Sequence, residues 1–397
     1  MTFETVALVL GLALVGGALV SGIARRSFVS LTALFVVAGF LLGRDGLDVL
    51  HFDPTGEFVG DLALVALIVI LFRDGIAVEG ELLQREWHLP FRKLVLAMPL
   101  TCVLVALAAH ALTDLGWVEC FLLGALLSPT DPVLSSAVVT NPRVPRVIRH
   151  SLNLESGLND GLALPAVLAL IEAARASQSD FVWWRFVAQD VSLGLLFGLV
   201  VGFAAAKLMP RGGGIPAHQR SLYALGVAFA AYGVSAVGPE GNGLIAVYVC
   251  AIVLGVMRPD VAETFEERAQ DIVEVVKLGI FVVFGSLLTL GGLFGDGWAA
   301  VALVAFTLFV ARPVAVFGAL AGTPTDARTR GFMAWFGPKG VATMTFALLV
   351  LAQSDVASGE RLFNLAALAV FCSIVLHGLT DTPGANWIAR HAEEAET

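Results

Sequence analysis

Runs of apolar residues recur along the whole chain, at 5–21, 63–72, 103–112, 193–206, 222–236, 280–290, 299–311 and 342–352. Many grow to roughly 17–25 residues once small and weakly polar neighbours are counted, enough to cross a bilayer as a helix. The pattern predicts thirteen spans, centred near residues 13, 36, 68, 101, 128, 162, 196, 228, 250, 281, 308, 341 and 370. Between them, 73–93 and 257–270 read as solvated connectors with enough charge for short surface helices. Arg211-Gly-Gly-Gly214 reads as a flexible loop, and the polar end after Trp387 as a frayed tail. The expected fold class is an all-α polytopic membrane protein.

Two of the predicted spans are broken in their interiors. The fifth carries Ser128-Pro-Thr-Asp-Pro132 and the twelfth Gly337-Pro-Lys-Gly340. Proline removes an N–H donor and frees a carbonyl. Unwound backbone is tolerated at membrane depth only where it lines a cavity or the protein interior. Each break is the middle member of a triplet, spans four to six and eleven to thirteen. Seven spans separate the triplets, so their topologies are opposite. Interrupted helices at matching positions of inverted repeats point to a transporter's binding site.

Composition supports this reading. The 397 residues are 57% hydrophobic and only 14% charged, against about 25% charged in soluble domains. No polar linker divides the chain. Forty-one glycines and sixteen prolines suit a membrane bundle, where small residues let helices approach. Four scattered cysteines without a CxxC pair suggest neither a disulfide framework nor a metal centre, and no cofactor is expected. The net charge of −9 gives no reason to expect a nucleic-acid partner. Orientation is set by Lys and Arg in loops. Of the 24, sixteen fall in one alternate set of predicted loops, with Arg92 and Lys93 among them, and four in the other. That places the N-terminus outside and the C-terminus in the cytoplasm. The first apolar run lacks a basic leader and reads as a retained helix.

Charged residues within spans are costly and usually functional. The candidates are Asp131, Glu155, Asp160, Arg312 and Lys339. On the sixth span, Ser156 is i−4 to Asp160, and Glu155 is i−4 to Asn159. Two polar pairs therefore occupy neighbouring stripes of one helix. Thr130 and Asp131, between two prolines, offer carbonyl, hydroxyl and carboxylate oxygens, the donors a hard cation prefers. Arg312 is the expected partner of Glu155. Lys339 is expected to neutralise the converging helix ends of the broken twelfth span. Three acids against two bases leave one negative charge, which one proton or one monovalent cation can balance. The two should compete, which gives obligatory one-to-one exchange.

With these residues on the page, the chain resembles the monovalent cation–proton antiporters, specifically sodium/proton exchangers of the NhaP type. The resemblance rests on Ser128-Pro-Thr-Asp-Pro132, Glu155-Ser-Gly-Leu-Asn-Asp-Gly161, Gly243-Leu-Ile-Ala-Val-Tyr248, Ala311-Arg-Pro313 and Gly337-Pro-Lys-Gly340, in family order. It implies an antiporter fold of thirteen helices in a homodimer embedded in the lipid of the plasma (inner) membrane. Residues 91–175 and 296–385 would form a core transport domain moving as an elevator against a dimerisation domain of residues 1–90 and 176–295, with 386–397 a cytoplasmic tail. It implies Asp160 as carrier of Na⁺ (Li⁺ also) and H⁺, with Asp131, Ser156 and Thr130 as further Na⁺ ligands. Asn159, Glu155, Arg312 and Lys339 would support the site. Asn159 beside Asp160, rather than two aspartates, marks the branch linked to electroneutral exchange. Two departures stand out: Arg73 where relatives often carry an acid, and Lys339 where Arg is common.

The alternatives are K⁺/H⁺ exchange in the same fold and, in another class, an intramembrane aspartyl protease using Asp131 and Asp160. The protease reading lacks a Gly-x-Gly-Asp motif. An ion channel would need repeated filter elements, and none is visible.

Overall fold

The structure, a computed structural model, describes residues 31–78, 87–131, 141–175, 182–210, 215–237, 241–353 and 358–396, with isolated positions at 8, 11, 14–16, 19, 138 and 356. Most of the first predicted span, the middle of 73–93, Pro132 and the 211–214 loop lie outside the described residues.

Everything regular among the described residues is helical. In chain order the main helices are α1 (Leu31–Leu42), α2 (Glu57–Ile76), α3 (His88–Leu112), α4 (Trp117–Leu127) and α5 (Arg146–Arg175). They continue as α6 (Trp183–Leu208), α7 (Ala217–Val237), α8 (Gly243–Met257), α9 (Pro259–Leu287) and α10 (Trp298–Ala319). The last are α11 (Ala327–Trp335), α12 (Val341–Ala352) and α13 (Gly359–Glu396). Six described helices are long and apolar enough to cross a membrane by themselves. A helix satisfies its backbone polar groups internally, the condition for lying in hydrocarbon.

Both predicted breaks are present. α4 stops at Leu127, and 128–131 is not helical. α11 stops at Trp335, and α12 resumes at Val341 after five non-helical residues. At 11 and 12 residues, α4 and α12 are each about 17 Å long, roughly half a hydrocarbon core. Two expectations at the ends of spans fail. Residues 259–270 are no separate surface helix: α9 starts at Pro259, bent 116° from α8, and runs on to Leu287. Arg258 makes that corner by donating to the carbonyls of Ala206, Met209 and Pro210 at the end of α6 while clasping Asp260. Nor does the tail fray, since α13 stays helical to Glu396.

Glycines set the closest helix approaches. Gly194, Gly198 and Gly202 of α6 face carbonyls of Asn242, Ala246 and Cys250, where an added Cβ would come within 2.7–2.9 Å. α1 and α9 interlock in the same way. A Cβ on Gly285 would sit 2.1 Å from the Val36 carbonyl, and one on Gly39 would sit 2.3 Å from that of Val282. Small-xxx-small contact replaces the hydrophobic driving force that lipid cannot supply. In α3 and α10 a wide π turn, Lys93–Ala97 and Thr307–Ala311, precedes Pro99 and Pro313. The carbonyl four residues before each proline falls inside the widened turn, which relieves its clash with the ring.

Gly285→Val should part α1 from α9 and cost about 1–3 kcal/mol, read as a lower midpoint in thermal unfolding of detergent-solubilised protein. Asp326 caps α11 through the Thr329 N–H at 2.9 Å and also meets His391. These bonds, Thr329 first, hold its carboxyl down at about 2. Because the folded value lies below the ordinary one, its contribution is present above about pH 4 and is lost as pH falls toward 2. Asp326→Ala should cost about 1 kcal/mol at neutral pH and flatten that acid limb of the unfolding curve.

Candidate functional site

The two breaks meet and satisfy each other. The Asp131 N–H donates to the Pro338 carbonyl at 2.8 Å. Lys339 donates its Nζ to the Pro129 carbonyl at 3.2 Å and its backbone N–H to Ser373 Oγ at 2.8 Å. Its ammonium is fully buried at the carbonyl end of α4, where a helix dipole favours positive charge. Lys339 thus neutralises the break of the fifth predicted span and not, as the sequence suggested, its own. Gly340, just before α12, presses on Asp131: a Cβ there would lie 2.2 Å from the Asp131 Cβ and 2.6 Å from Oδ2. The Asp131 carboxylate therefore lies at the positive end of α12.

Beside the crossing stands α5. Glu155 Oε1 accepts from both Nη1 and Nη2 of Arg312 at 3.1 Å, and Oε2 accepts from Lys93 Nζ at 2.6 Å. Arg312 also donates to the carbonyls of Ala334 and Met333 at the end of α11. A Cβ on Gly337 would lie 2.0 Å from the Arg312 Cζ, so a side chain there would displace the guanidinium. Asn159 donates to the Thr130 carbonyl at 2.6 Å and to Thr130 Oγ1 at 3.1 Å, while Thr130 Oγ1 reaches Glu155 Oε1 at 3.4 Å. The Glu155/Asn159 stripe thus binds the breaks together. On the neighbouring stripe Ser156 is half-buried and Asp160 buried. Asp160 Oδ1 and Asn159 Oδ1 are buried and accept no hydrogen bond.

The expected pairing of Glu155 with Arg312 is present, and all eight residues singled out in the sequence lie on α5, the two breaks or Arg312. The charge tally, however, was incomplete. The sequence pattern puts Lys93 in a loop, yet it is 1% exposed and bound to Glu155. Its neighbours Trp87, His88 and Arg92 resemble an interfacial loop, and the π turn that turns Lys93 inward leaves no mark in the hydropathy. Arg73 donates Nε and Nη2 to Asp74 Oδ1 at 2.8 and 2.5 Å, and the pair lies within electrostatic reach of Asp131 and Asp160. Lys277 of α9 faces the same cluster. Four acids (Asp74, Asp131, Glu155, Asp160) thus stand near five bases (Arg73, Lys93, Lys277, Arg312, Lys339). The single negative charge inferred from the sequence does not survive as a derivation of stoichiometry.

A funnel of about 1100 Å³ opens at the end of the bundle where α2, α6 and α8 begin. Glu57, Asp61, Glu172 and Asp190 line its polar wall, and Leu64, Leu168, Leu244 and Leu349 lie deepest along their helices. Leu168 is eight residues, about 12 Å of helix rise, beyond Asp160.

The chain matches the profile of the transmembrane sodium/hydrogen exchanger family over residues 10–387. It belongs to the sodium/hydrogen exchanger family. The chain is 27% identical over 380 residues to the K⁺/H⁺ antiporter NhaP of Alkalimonas amylolytica, covering 92% of this chain and 64% of the relative. It is 25% identical over 378 residues to the K⁺/H⁺ antiporter NhaP2 of Shewanella sp. strain ANA-3, with the same coverage. It thus spans just under two thirds of the length of these relatives. The sodium/proton antiporter MjNhaP1 of Methanocaldococcus jannaschii, solved at pH 8, superposes with a TM-score of 0.83 at 20% identity, covering 97% of this chain and 99% of that one. The chain thus has the NhaP-type antiporter fold.

Glu155→Leu strands two buried bases and should destabilise the protein by about 3–5 kcal/mol. Lys93→Met leaves Glu155 its Arg312 partner and should cost clearly less. Thermal midpoints of the two purified variants test this ordering.

Proposed function

We propose that this exchanger carries out secondary active antiport, moving a monovalent cation against a proton across the membrane. One observation carries the reading: Asp160, in the middle of α5, has a buried carboxylate oxygen without a hydrogen-bond partner, next to an equally unpartnered Asn159 Oδ1. A buried acceptor left unmade is costly, and both a proton and a small cation relieve that cost. Asp160 carries either one in turn. Asp131, Ser156 and the Thr130 oxygens complete the cation's ligands, and Asn159, Glu155, Arg312 and Lys339 hold the site together. Na⁺ is the favoured substrate, with Li⁺ accepted. K⁺ is the second reading, favoured by the names of the curated relatives. A neutral Asn159 leaves one titrating carboxylate in that pair, which supports one-to-one electroneutral exchange.

The reading extends to thirteen spans with the N-terminus outside, inverted repeats with the fifth and twelfth spans interrupted, and a homodimer in the plasma (inner) membrane. The core of 91–175 and 296–385 moves as an elevator against 1–90 and 176–295.

The test is proton flux in everted vesicles with Na⁺, Li⁺ and K⁺ added separately between pH 6 and 9. Wild-type protein should dissipate a proton gradient with Na⁺, and Asp160→Asn should lose at least ~100-fold of that activity, since it removes the group that carries both ions. Retained flux in Asp160→Asn sinks the carrier assignment, and a response to K⁺ alone moves the substrate to the second reading. An imposed membrane potential should leave the rate nearly unchanged.

A further inference from the structure

On the side of the site away from the funnel, α2, α5 and α8 are drawn together through glycines. A Cβ on Gly75 would meet the Ala251 Cβ at 2.8 Å and the Tyr248 carbonyl at 3.0 Å, and one on Gly255 would lie 2.4 Å from the Ile76 carbonyl. Gly157 faces the Asp74 carbonyl. Tyr248 stands where this sealed contact gives way to the open side. Its hydroxyl donates to the Gly157 carbonyl at 3.0 Å. Its ring covers Gly161 so closely that a Cβ there would lie 2.1–2.4 Å from three ring atoms. The two glycines are one helical turn apart and bracket Asp160. Leu244, one turn before Tyr248 on α8, lines the funnel. Along α8 the order is therefore funnel, Tyr248, seal.

None of the hydrogen bonds described for Glu155, Asn159, Arg312 or Lys339 reaches α8. Among the described residues, the Tyr248–Gly157 bond is the side-chain hydrogen bond that ties α8 to α5. We propose that the Tyr248 hydroxyl is a latch: it holds the ion site shut on the side opposite the funnel and so sets the balance between the two access states. This rests on the alternating-access reading above. To open Asp160 toward the other side, α5 must move relative to α8, and the phenol must leave the Gly157 carbonyl. On this reading the bond is made with the funnel open and broken when the other face opens, so it biases that equilibrium. Apparent affinity at each face scales with the population of the state that opens there. Tyr248 is a positioning residue in this role, since it acts through α5 and not on the ion.

Tyr248→Phe keeps the ring and removes the hydroxyl. A single neutral hydrogen bond changes an equilibrium by about 2–10-fold. Half-maximal Na⁺ for proton flux, measured in right-side-out and everted vesicles at one pH, should rise about 2–10-fold at the funnel face and fall at the opposite face. Opposed shifts are the signature, because a packing defect weakens both faces or lowers the maximal rate alone. Gly161→Ala, which pushes the ring away, should shift affinities in the same directions, and adding Tyr248→Ala should relieve the clash. Equal shifts at both faces, or none in Tyr248→Phe, overturn the latch. If Asp160→Asn is inactive in the same vesicles, the carrier assignment survives that failure. If Asp160→Asn is active, the carrier assignment falls on its own.

Discussion

Two unwound backbone segments at membrane depth are stable here because each supplies what the other lacks. The Asp131 N–H finds the Pro338 carbonyl, and the Lys339 ammonium finds the Pro129 carbonyl. Hydrocarbon offers neither partner, and each unmade bond would cost several kcal/mol. The crossing therefore fixes α4, α11 and α12 relative to one another. It also places Asp131 at the start of α12 and brings a lysine to the end of α4, each at the helix end that suits its charge. Glycine at 340 follows from that closeness, since any side chain would collide with Asp131.

Glu155 extends the same logic to α3, α5 and α10. One carboxylate serves two bases, and those bases in turn serve carbonyls of Ser151, Met333 and Ala334. The result is a buried network whose members each have a partner, which is the condition for such a network to rigidify a core. Asp160 and Asn159 stand out against it. Their unpartnered oxygens lie on α5 beside the fully engaged Glu155 carboxylate. On the proposed reading, a frame held by Glu155 around the Asp160 and Asn159 oxygens lets cargo be bound and released without dissolving the fold.

Much was legible in the sequence. Apolar runs predicted the described helices because lipid requires long, internally satisfied segments. The Pro- and Gly-framed breaks were visible because those residues cannot continue a helix. The Glu155/Asn159 and Ser156/Asp160 stripes followed from the helical period, and Arg312 was the natural partner of Glu155. The position of an acid inside an oily run needed no fold to be recognised as costly.

What the chain's pattern could not decide was which charges near the ends of runs turn inward. Lys93 looks like its neighbour Arg92, yet a π turn buries one against Glu155 while the other caps carbonyls of Ala319 and Ala321. Arg73 and Asp74 of α2 and Lys277 of α9 come near Asp131 and Asp160 from more than 50 residues away in the chain, and Tyr248 meets Gly157 across 91. Burial and charge balance are properties of the packed bundle, since they depend on which faces meet. Sequence alone determined the helices, their breaks and the acidic centre, because local covalent limits and the solvent demand them. Only the tertiary structure decided which charges surround that centre and which helices pack against it, because these are set by contacts between helices remote in the chain.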